Sequence, residues 1–547
     1  MEIDTLKKIE KEAIKKSSKD FMKIGFALFF MIGVLTYSFL SNGNIPNSMF
    51  LAVAALFGAY MAMNIGANDV ANNVGPAVGS KAMTLGGAIV IAAVFEAGGA
   101  LIAGGDVVKT IKKGIIDIGA FSSVDPFIWA MMAALLAAAL WLNLATAFKA
   151  PVSTTHSIVG GVMGAGVAAA GLEIVSWGTM GKIAASWVIS PVLGGIIAAL
   201  FLYAIKKSIV FQDDRITAAK RWVPIFVGLM ATSFITYLTL KGLKKVWPDI
   251  VAFINDVMFF TLPVTKKPTF ATAIIFGAII GVIVYIFVKR NIDKKAHTLQ
   301  NSRDSVNTLF TIPLVFAAAL LSFAHGANDV ANAVGPLAAI NDAVVNSAIS
   351  SKAGIPLWVM AVGALGISLG LALYGPKLIK TVGSEITELD QMRAFSIAMA
   401  ASITVIIASQ LGLPVSSTHI AVGGVFGVGF LREWLHVNDT QNFIEHEKEH
   451  IEDEKKLLRA YKHELENLEK KEGKENTEYE RIVELYKLID EEENKLKKAK
   501  KAIKKAEKVK YVKRDAVKKI IAAWIITVPA AAMLAGVLYY TIKGVML

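Results

Sequence analysis

One eleven-residue segment occurs twice, each time after a run of apolar residues, and it constrains the fold more than anything else in the chain. Gly66-Ala67-Asn68-Asp69-Val70-Ala71-Asn72-Asn73-Val74-Gly75-Pro76 returns as Gly326-Ala327-Asn328-Asp329-Val330-Ala331-Asn332-Ala333-Val334-Gly335-Pro336, with ten of the eleven positions identical. Both copies place a carboxylate at or inside a membrane, where an ionised group costs several kcal/mol and marks a functional site by default. Helix capping alone would need one such residue, not eleven.

The apolar runs approach the ~20 residues a helix needs to cross ~30 Å of hydrocarbon. With 54% hydrophobic residues and a mean hydropathy of +0.54, the chain reads as an integral membrane protein. Backbone groups in lipid must bond internally, which predicts an all-α fold. Forty-four glycines suit closely packed helices. The absence of cysteine excludes disulfides and thiolate metal sites. The net charge of +13 lies largely in short loops beside apolar runs, a pattern that sets membrane orientation and does not point to nucleic acid.

Residues 1–20 carry Lys7, Lys8, Lys11, Lys15, Lys16 and Lys19 and read as an amphipathic segment on the inner membrane surface. Phe21–Leu40 reads as a retained first span rather than a cleaved signal. Spans are expected near 48–66, 82–104, 127–148, 157–172, 183–205, 223–240 and 269–288, then near 309–326, 354–374, 394–412, 419–431 and 519–543. This gives about 12–13 transmembrane helices, some broken or re-entrant. The expected domains are 1–47 (amphipathic segment and first span), 48–206 (first repeat), 207–308 (a linking pair of spans), 309–433 (second repeat), 434–517 (charged insert) and 518–547 (last span of the second repeat).

The repeat extends beyond its core motif. Pro151-Val152-Ser153-Thr154-Thr155-His156 recurs as Pro414-Val415-Ser416-Ser417-Thr418-His419, Gly160-Gly161 as Gly423-Gly424, and Ser80-Lys81-Ala82 as Ser351-Lys352-Ala353. Ala184–Pro191 echoes Ala522–Pro529 when the two prolines are aligned. Basic loops containing Lys206, Lys207, Arg215, Lys220 and Arg221, and Lys289, Arg290, Lys294, Lys295 and Arg303, are expected in the cytoplasm. The N-terminus is then inside and the two halves are inverted. Lys241, Lys244, Lys245, Lys266 and Lys267 fall in a loop that this arrangement puts outside, against the rule. Residues 434–517 are dense in Glu and Lys, with Ile451, Leu457, Leu458, Tyr461, Leu465 and Leu468 at helical spacing and a break at Gly473-Lys474-Glu475-Asn476. They read as a cytoplasmic helical hairpin.

Inverted repeats with Gly- and Pro-interrupted polar segments place a secondary transporter's site near the midplane. Proline removes a backbone bond, so Pro76, Pro336, Pro151 and Pro414 are expected to break their helices. Each break would leave a half-helix N-terminus, which binds anions. Thr154, Thr155, Ser417 and Thr418 supply hydroxyl donors beside it. Asn68, Asn72, Asn328 and Asn332 supply amide donors and carbonyl acceptors, while ionised Asp69 and Asp329 can only accept. Carboxylates beside an anion repel it unless cations intervene, so the residue set itself argues for cation symport.

These paired motifs resemble the signatures of the inorganic phosphate transporter family over about residues 48–206 and 309–431 plus the final span. The resemblance implies cation-driven phosphate uptake, with sodium in many members and protons in others, an inverted-repeat fold and a homodimer in the cell membrane. The implied phosphate site is Asp69, Thr154, Thr155, Asn328, Asp329, Ser417 and Thr418. The implied sodium sites are Asn68, Asp69, Asn72, Ser153, Asn328, Asp329, Asn332 and Ser416. Sodium is here a co-transported substrate, and no further cofactor is expected. The extra first span and the charged insert depart from the family pattern.

His156 and His419 are expected to be supporting residues, buried as satisfied donors. Glu96, with its repeat counterpart near Ile367, is expected to couple ions or to contact a second subunit. His325 is set aside because its repeat counterpart is Ile65. Lys109, Lys112 and Lys113 are expected to reach the membrane interface. A sulfate or general oxyanion permease, an anion channel and an intramembrane enzyme are the alternatives. The near-identity of the halves argues against the enzyme, which needs an asymmetric nucleophile–base pair.

Overall fold

Seventeen α-helices are described in the computed structural model, which covers residues 3–43, 45–148, 152–244, 246–258, 261–349, 354–385, 389–471, 473, 475–506 and 514–546. Pro151 and Ser351–Ala353 lie outside them. The helices are α1 (Ile3–Asn42), α2 (Ser48–Gly79), α3 (Leu85–Ala103), α4 (Gly105–Lys113), α5 (Val124–Ala147), α6 (Thr154–Ala170), α7 (Trp177–Ile205), α8 (Arg215–Gly242) and α9 (Trp247–Val257). They continue as α10 (Phe270–Ala296), α11 (Arg303–Leu309), α12 (Thr311–Asn346), α13 (Leu357–Glu385), α14 (Gln391–Gln410), α15 (Ser417–Lys470), α16 (Asn476–Ala506) and α17 (Arg514–Met546). Among the described residues, eleven helices are long and apolar enough to cross a membrane. The fold is that of an all-α integral membrane protein.

Three expectations about the helices need correction. The duplicated motif does not interrupt α2 and α12; both run through it, with Pro76 and Pro336 inside the helix. A proline costs one backbone bond, and here the helix on either side is buried almost completely, so packing keeps it continuous. The N-terminal segment is not a separate surface helix, because α1 continues from Ile3 into the first span. Lys112 does not reach outward. It is buried and lies 3.0 Å from Asp342 of α12, fastening α4 onto that helix. Lys241, which ran against the orientation rule, pairs with Asp106.

The halves cover each other. Helix α2 packs on α13 and α12 on α3, at glycines that admit no side chain. A Cβ on Gly66 would lie 2.0 Å from the Ile367 carbonyl oxygen, and one on Gly326 would lie 2.1 Å from that of Glu96. Gly370 meets Met63 and Gly99 meets Phe323 in the same way, each at 2.0 Å. Glu96 and Ile367 are thus equivalent, as the repeat predicts. Helix α6 packs on α17, with Gly164 against Ala532, and α15 on α7, with Gly427 against Gly195. These contacts set the last repeat in a different register from the aligned prolines, because Trp524 takes the place of Trp187. Pro191 and Pro529 are offset by one residue, having misled the alignment.

Gly429–Lys513 forms a separate compact unit. It holds most of α15 together with α16, joined through Gly473 at φ +74°. Lys462 reaches Glu493 at 2.7 Å, and Arg481 grips both oxygens of Glu464 at 2.9 and 3.2 Å.

Candidate functional site

Helices α6 and α15 bring their N-termini to one polar cluster. Ser153 caps α6, its Oγ accepting from the His156 N–H at 3.1 Å; Ser416 does the same for His419 at 3.2 Å. The first N–H groups of a helix have no carbonyl one turn back, and the helix dipole is positive there. The serines read as sodium ligands therefore have a capping role in this structure.

Around these ends, hydroxyls and carboxylates from both halves interlock. Thr154 donates to Asp69 at 2.9 Å and lies 3.4 Å from Asp329. Ser417 donates to Asp329 at 3.1 Å, and Thr418 donates to the other Asp69 oxygen at 2.9 Å. Asn72 donates to Thr418 at 2.8 Å, and its counterpart Asn332 donates to Thr155 at 3.1 Å. All of these groups are buried. Thr155 itself donates to the Val415 carbonyl at 2.9 Å, which breaks the two-fold pattern. Asp329 Oδ1 and Asn332 Oδ1 are buried acceptors with no hydrogen-bond partner among the described residues. That is the donor chemistry a hard cation takes.

Asn68 and Asn328 stand one step away and hold the neighbouring helix ends. Asn68 donates to Thr146 of α5 at 2.9 Å. Asn328 donates to Ser409 of α14 at 3.0 Å and to the Leu413 carbonyl at 3.2 Å, and accepts from the Val415 N–H at 3.3 Å.

His325, set aside in the sequence, lies at the centre. Its Nε2 is 3.0 Å from Asp329 and 3.6 Å from Asp69, and its Nδ1 is 3.4 Å from Glu96. Asp69, His325 and Asp329 can each offer a ligand atom within 4.8 Å of the others. Glu96 is fully buried and accepts from Asn73 at 2.8 Å, so it is neither unpartnered nor a subunit contact. The position at which the repeat fails, Ile65 against His325, was the signal available for finding it.

His156 and His419 pack as rings 4.5 Å apart, flanked by Trp187 at 3.8 Å and Trp524 at 3.6 Å. Their ring nitrogens have no hydrogen-bond partner among the described residues, so they are stacked spacers rather than satisfied donors.

A polar site enclosed by two mutually covering halves of a membrane helix bundle is the architecture of a membrane transporter. Residues 65–535 match the phosphate transporter family, and the chain belongs to that family. A Helicobacter pylori protein named "Putative phosphate permease" is 48% identical over 98% of both chains. A Pyrococcus abyssi protein of like name is 38% identical over 70% of this chain and 89% of its own. A solved structure titled "The sodium-dependent phosphate transporter" superposes with a TM-score of 0.69 at 30% identity, covering 90% of this chain and 99% of that one.

Proposed function

We propose that this chain imports inorganic phosphate across the cell membrane by sodium symport, through one site shared by two inverted repeats. The observation that carries the reading is Asp69, which accepts one hydroxyl from each half, Thr154 and Thr418. A hydroxyl has one proton to give. While it donates to the carboxylate, it cannot donate to phosphate. Sodium on Asp69 and Asp329 takes over the carboxylate oxygens that accept from Thr154, Ser417 and Thr418, and these hydroxyls turn their protons to the anion. The cation thus creates the anion site, which is the coupling. Asn72 and Asn332 hold the hydroxyls in place, and the paired helix N-termini add positive potential.

Selectivity follows from the same groups. Phosphate near neutral pH carries a hydroxyl proton and sulfate carries none. A carboxylate oxygen left free by sodium accepts that proton, and a sulfate oxygen there meets only lone pairs, a costly buried mismatch. The basic loops support a cytoplasmic N-terminus, and the family resemblance supports a homodimer. Reconstituted vesicles with and without an inward sodium gradient test the reading through uptake of labelled phosphate, with arsenate and sulfate as competitors. Sodium-driven uptake blocked by arsenate is expected. Equal competition by sulfate would replace it with a general oxyanion permease.

A further inference from the structure

The nine-residue helix α4 sits against the tip between α14 and α15. That tip ends α14 in a Schellman turn. The Gly412 N–H bonds to the Ser409 carbonyl at 3.1 Å and the Leu413 N–H to the Ala408 carbonyl at 2.9 Å, with Gly412 at φ +67°. These bonds do not use the Gly412 carbonyl. Thr110 of α4 donates to it at 2.7 Å. A Cβ on Gly412 would lie 3.5 Å from the Thr110 hydroxyl and 3.7 Å from the Asp106 carbonyl, so α4 packs directly on the turn.

The tip is also bound to the polar cluster. Asn328, next to Asp329, donates to Ser409 and to the Leu413 carbonyl and accepts from the Val415 N–H. Ser417 and Thr418, just beyond, carry hydroxyls that meet Asp329 and Asp69. Helix α4 is braced elsewhere. Lys112 pairs with buried Asp342 of α12 at 3.0 Å, and Asp106 pairs with Lys241 of α8. Tyr237, one turn before Lys241, is buried beside Ser409. Ion pairs therefore fix α4 to α12 and α8, while among the described residues one neutral hydrogen bond joins it to the tip. The weaker junction is where these parts separate. Gly104 meets Val330 and Lys112 meets Asp342, so α4 runs along α12 away from the level of Asp329. Counting from a cytoplasmic N-terminus, α1 runs outward, α2 inward and α3 outward, which puts α4 on the outer side of the cluster.

We propose that Thr110 is a positioning residue of the outer gate: its bond to the Gly412 carbonyl holds the α14–α15 tip closed over the carboxylates, and phosphate enters when that bond breaks. The role in entry rests on the import reading above. Ser417 links the same tip to Asp329, so sodium binding and the gate act on one moving part.

Thr110→Val removes the donor and keeps the shape, whereas Thr110→Ser keeps the donor. In the full-length protein in nanodiscs, amide exchange over 408–416 should quicken about two- to tenfold in Thr110→Val, the weight of one neutral hydrogen bond. Exchange in α6 should not change, and Thr110→Ser should match the wild type. The chain has no cysteine, so Val415→Cys, buried at the tip, reports access to the cluster. In oriented vesicles, adding Thr110→Val should speed its reaction with a membrane-impermeant thiol reagent severalfold from the outer side and not from the inner side. Equal acceleration from both sides, faster exchange in α6 as well, or unchanged exchange at the tip would overturn the proposal. These readings need no substrate. In uptake assays Thr110→Val should lower both the KM for outer phosphate and kcat, because the outward-open state is favoured and closure is slowed. Altered sidedness with unaltered phosphate kinetics would leave a latch and remove phosphate entry as what it controls.

Discussion

His325 Nε2 lies 3.0 Å from Asp329 Oδ2, one turn along the same helix. That pair breaks the two-fold pattern, because the equivalent position in the first half is Ile65. The imidazole is also the basic neighbour of Asp69 and Glu96. His325→Ile, which restores the symmetry, would leave three buried carboxyl groups without it. Breaking a buried pair costs about 3–5 kcal/mol. A marked fall in melting temperature of the purified protein is expected, with phosphate uptake reduced more than tenfold. Adding Glu96→Gln should recover part of the stability. A single variant as stable as wild type would show that His325 compensates no charge.

Gly66 and Gly326 let α2 and α12 touch the backbones of Ile367 and Glu96. A methyl group at about 2 Å from a carbonyl oxygen forces the helices apart. Overpacking typically costs about 1–3 kcal/mol and more where backbone must move. Gly66→Ala and Gly326→Ala should each lower the thermal stability of the detergent-solubilised protein. Gly25→Ala, where a Cβ meets nothing within 4 Å, should not.

Lys112 and Asp342 form a buried pair 3.0 Å apart. Removing one partner leaves a buried charge, whereas removing both can be nearly neutral. Lys112→Met should therefore destabilise more than Lys112→Met with Asp342→Leu, as thermal unfolding would show. Additive losses would mean that the two residues act independently.

In the charged hairpin, the Arg481 guanidinium hydrogen-bonded to Glu464 holds that carboxyl below the ordinary carboxylate range. A lowered pKa contributes stability above the unfolded value and loses it as pH falls through the folded one. The pair is exposed, so solvent screening keeps the effect small. Hydrogen exchange across α16 should quicken as pH falls below about 4.5, after correction for intrinsic rates, and the Glu464→Gln variant should show less of that change. Identical profiles would exclude the pair as the cause.

Much of the cluster was legible in the sequence because duplication marks both ends of each contact. Asp69 and Thr154, or Asn332 and Thr155, were named from their motifs, and the structure brings them within hydrogen-bond distance. The sequence was less informative where one force overrode another. Pro76 and Pro336 read as helix breaks by local propensity, but packing keeps the helices continuous. The offset between Trp187 and Trp524 was hidden because proline, a conspicuous marker, is displaced by one residue from the true register. His325 and Glu96 were undervalued for lacking partners in sequence; they are close to each other in space.

On the proposed mechanism, sodium frees hydroxyl donors from Asp69 and Asp329 and so creates the phosphate site. Equilibrium binding of labelled phosphate to the purified protein, at rising sodium and with ionic strength held constant by choline, tests it most directly. Each hydrogen bond to a charged group is worth about 1.5–3 kcal/mol, and 1.4 kcal/mol is tenfold in affinity. Phosphate affinity should rise at least tenfold with sodium in the wild type, and this dependence should be largely lost in Asp69→Asn. Phosphate binding of equal strength with and without sodium would contradict the account.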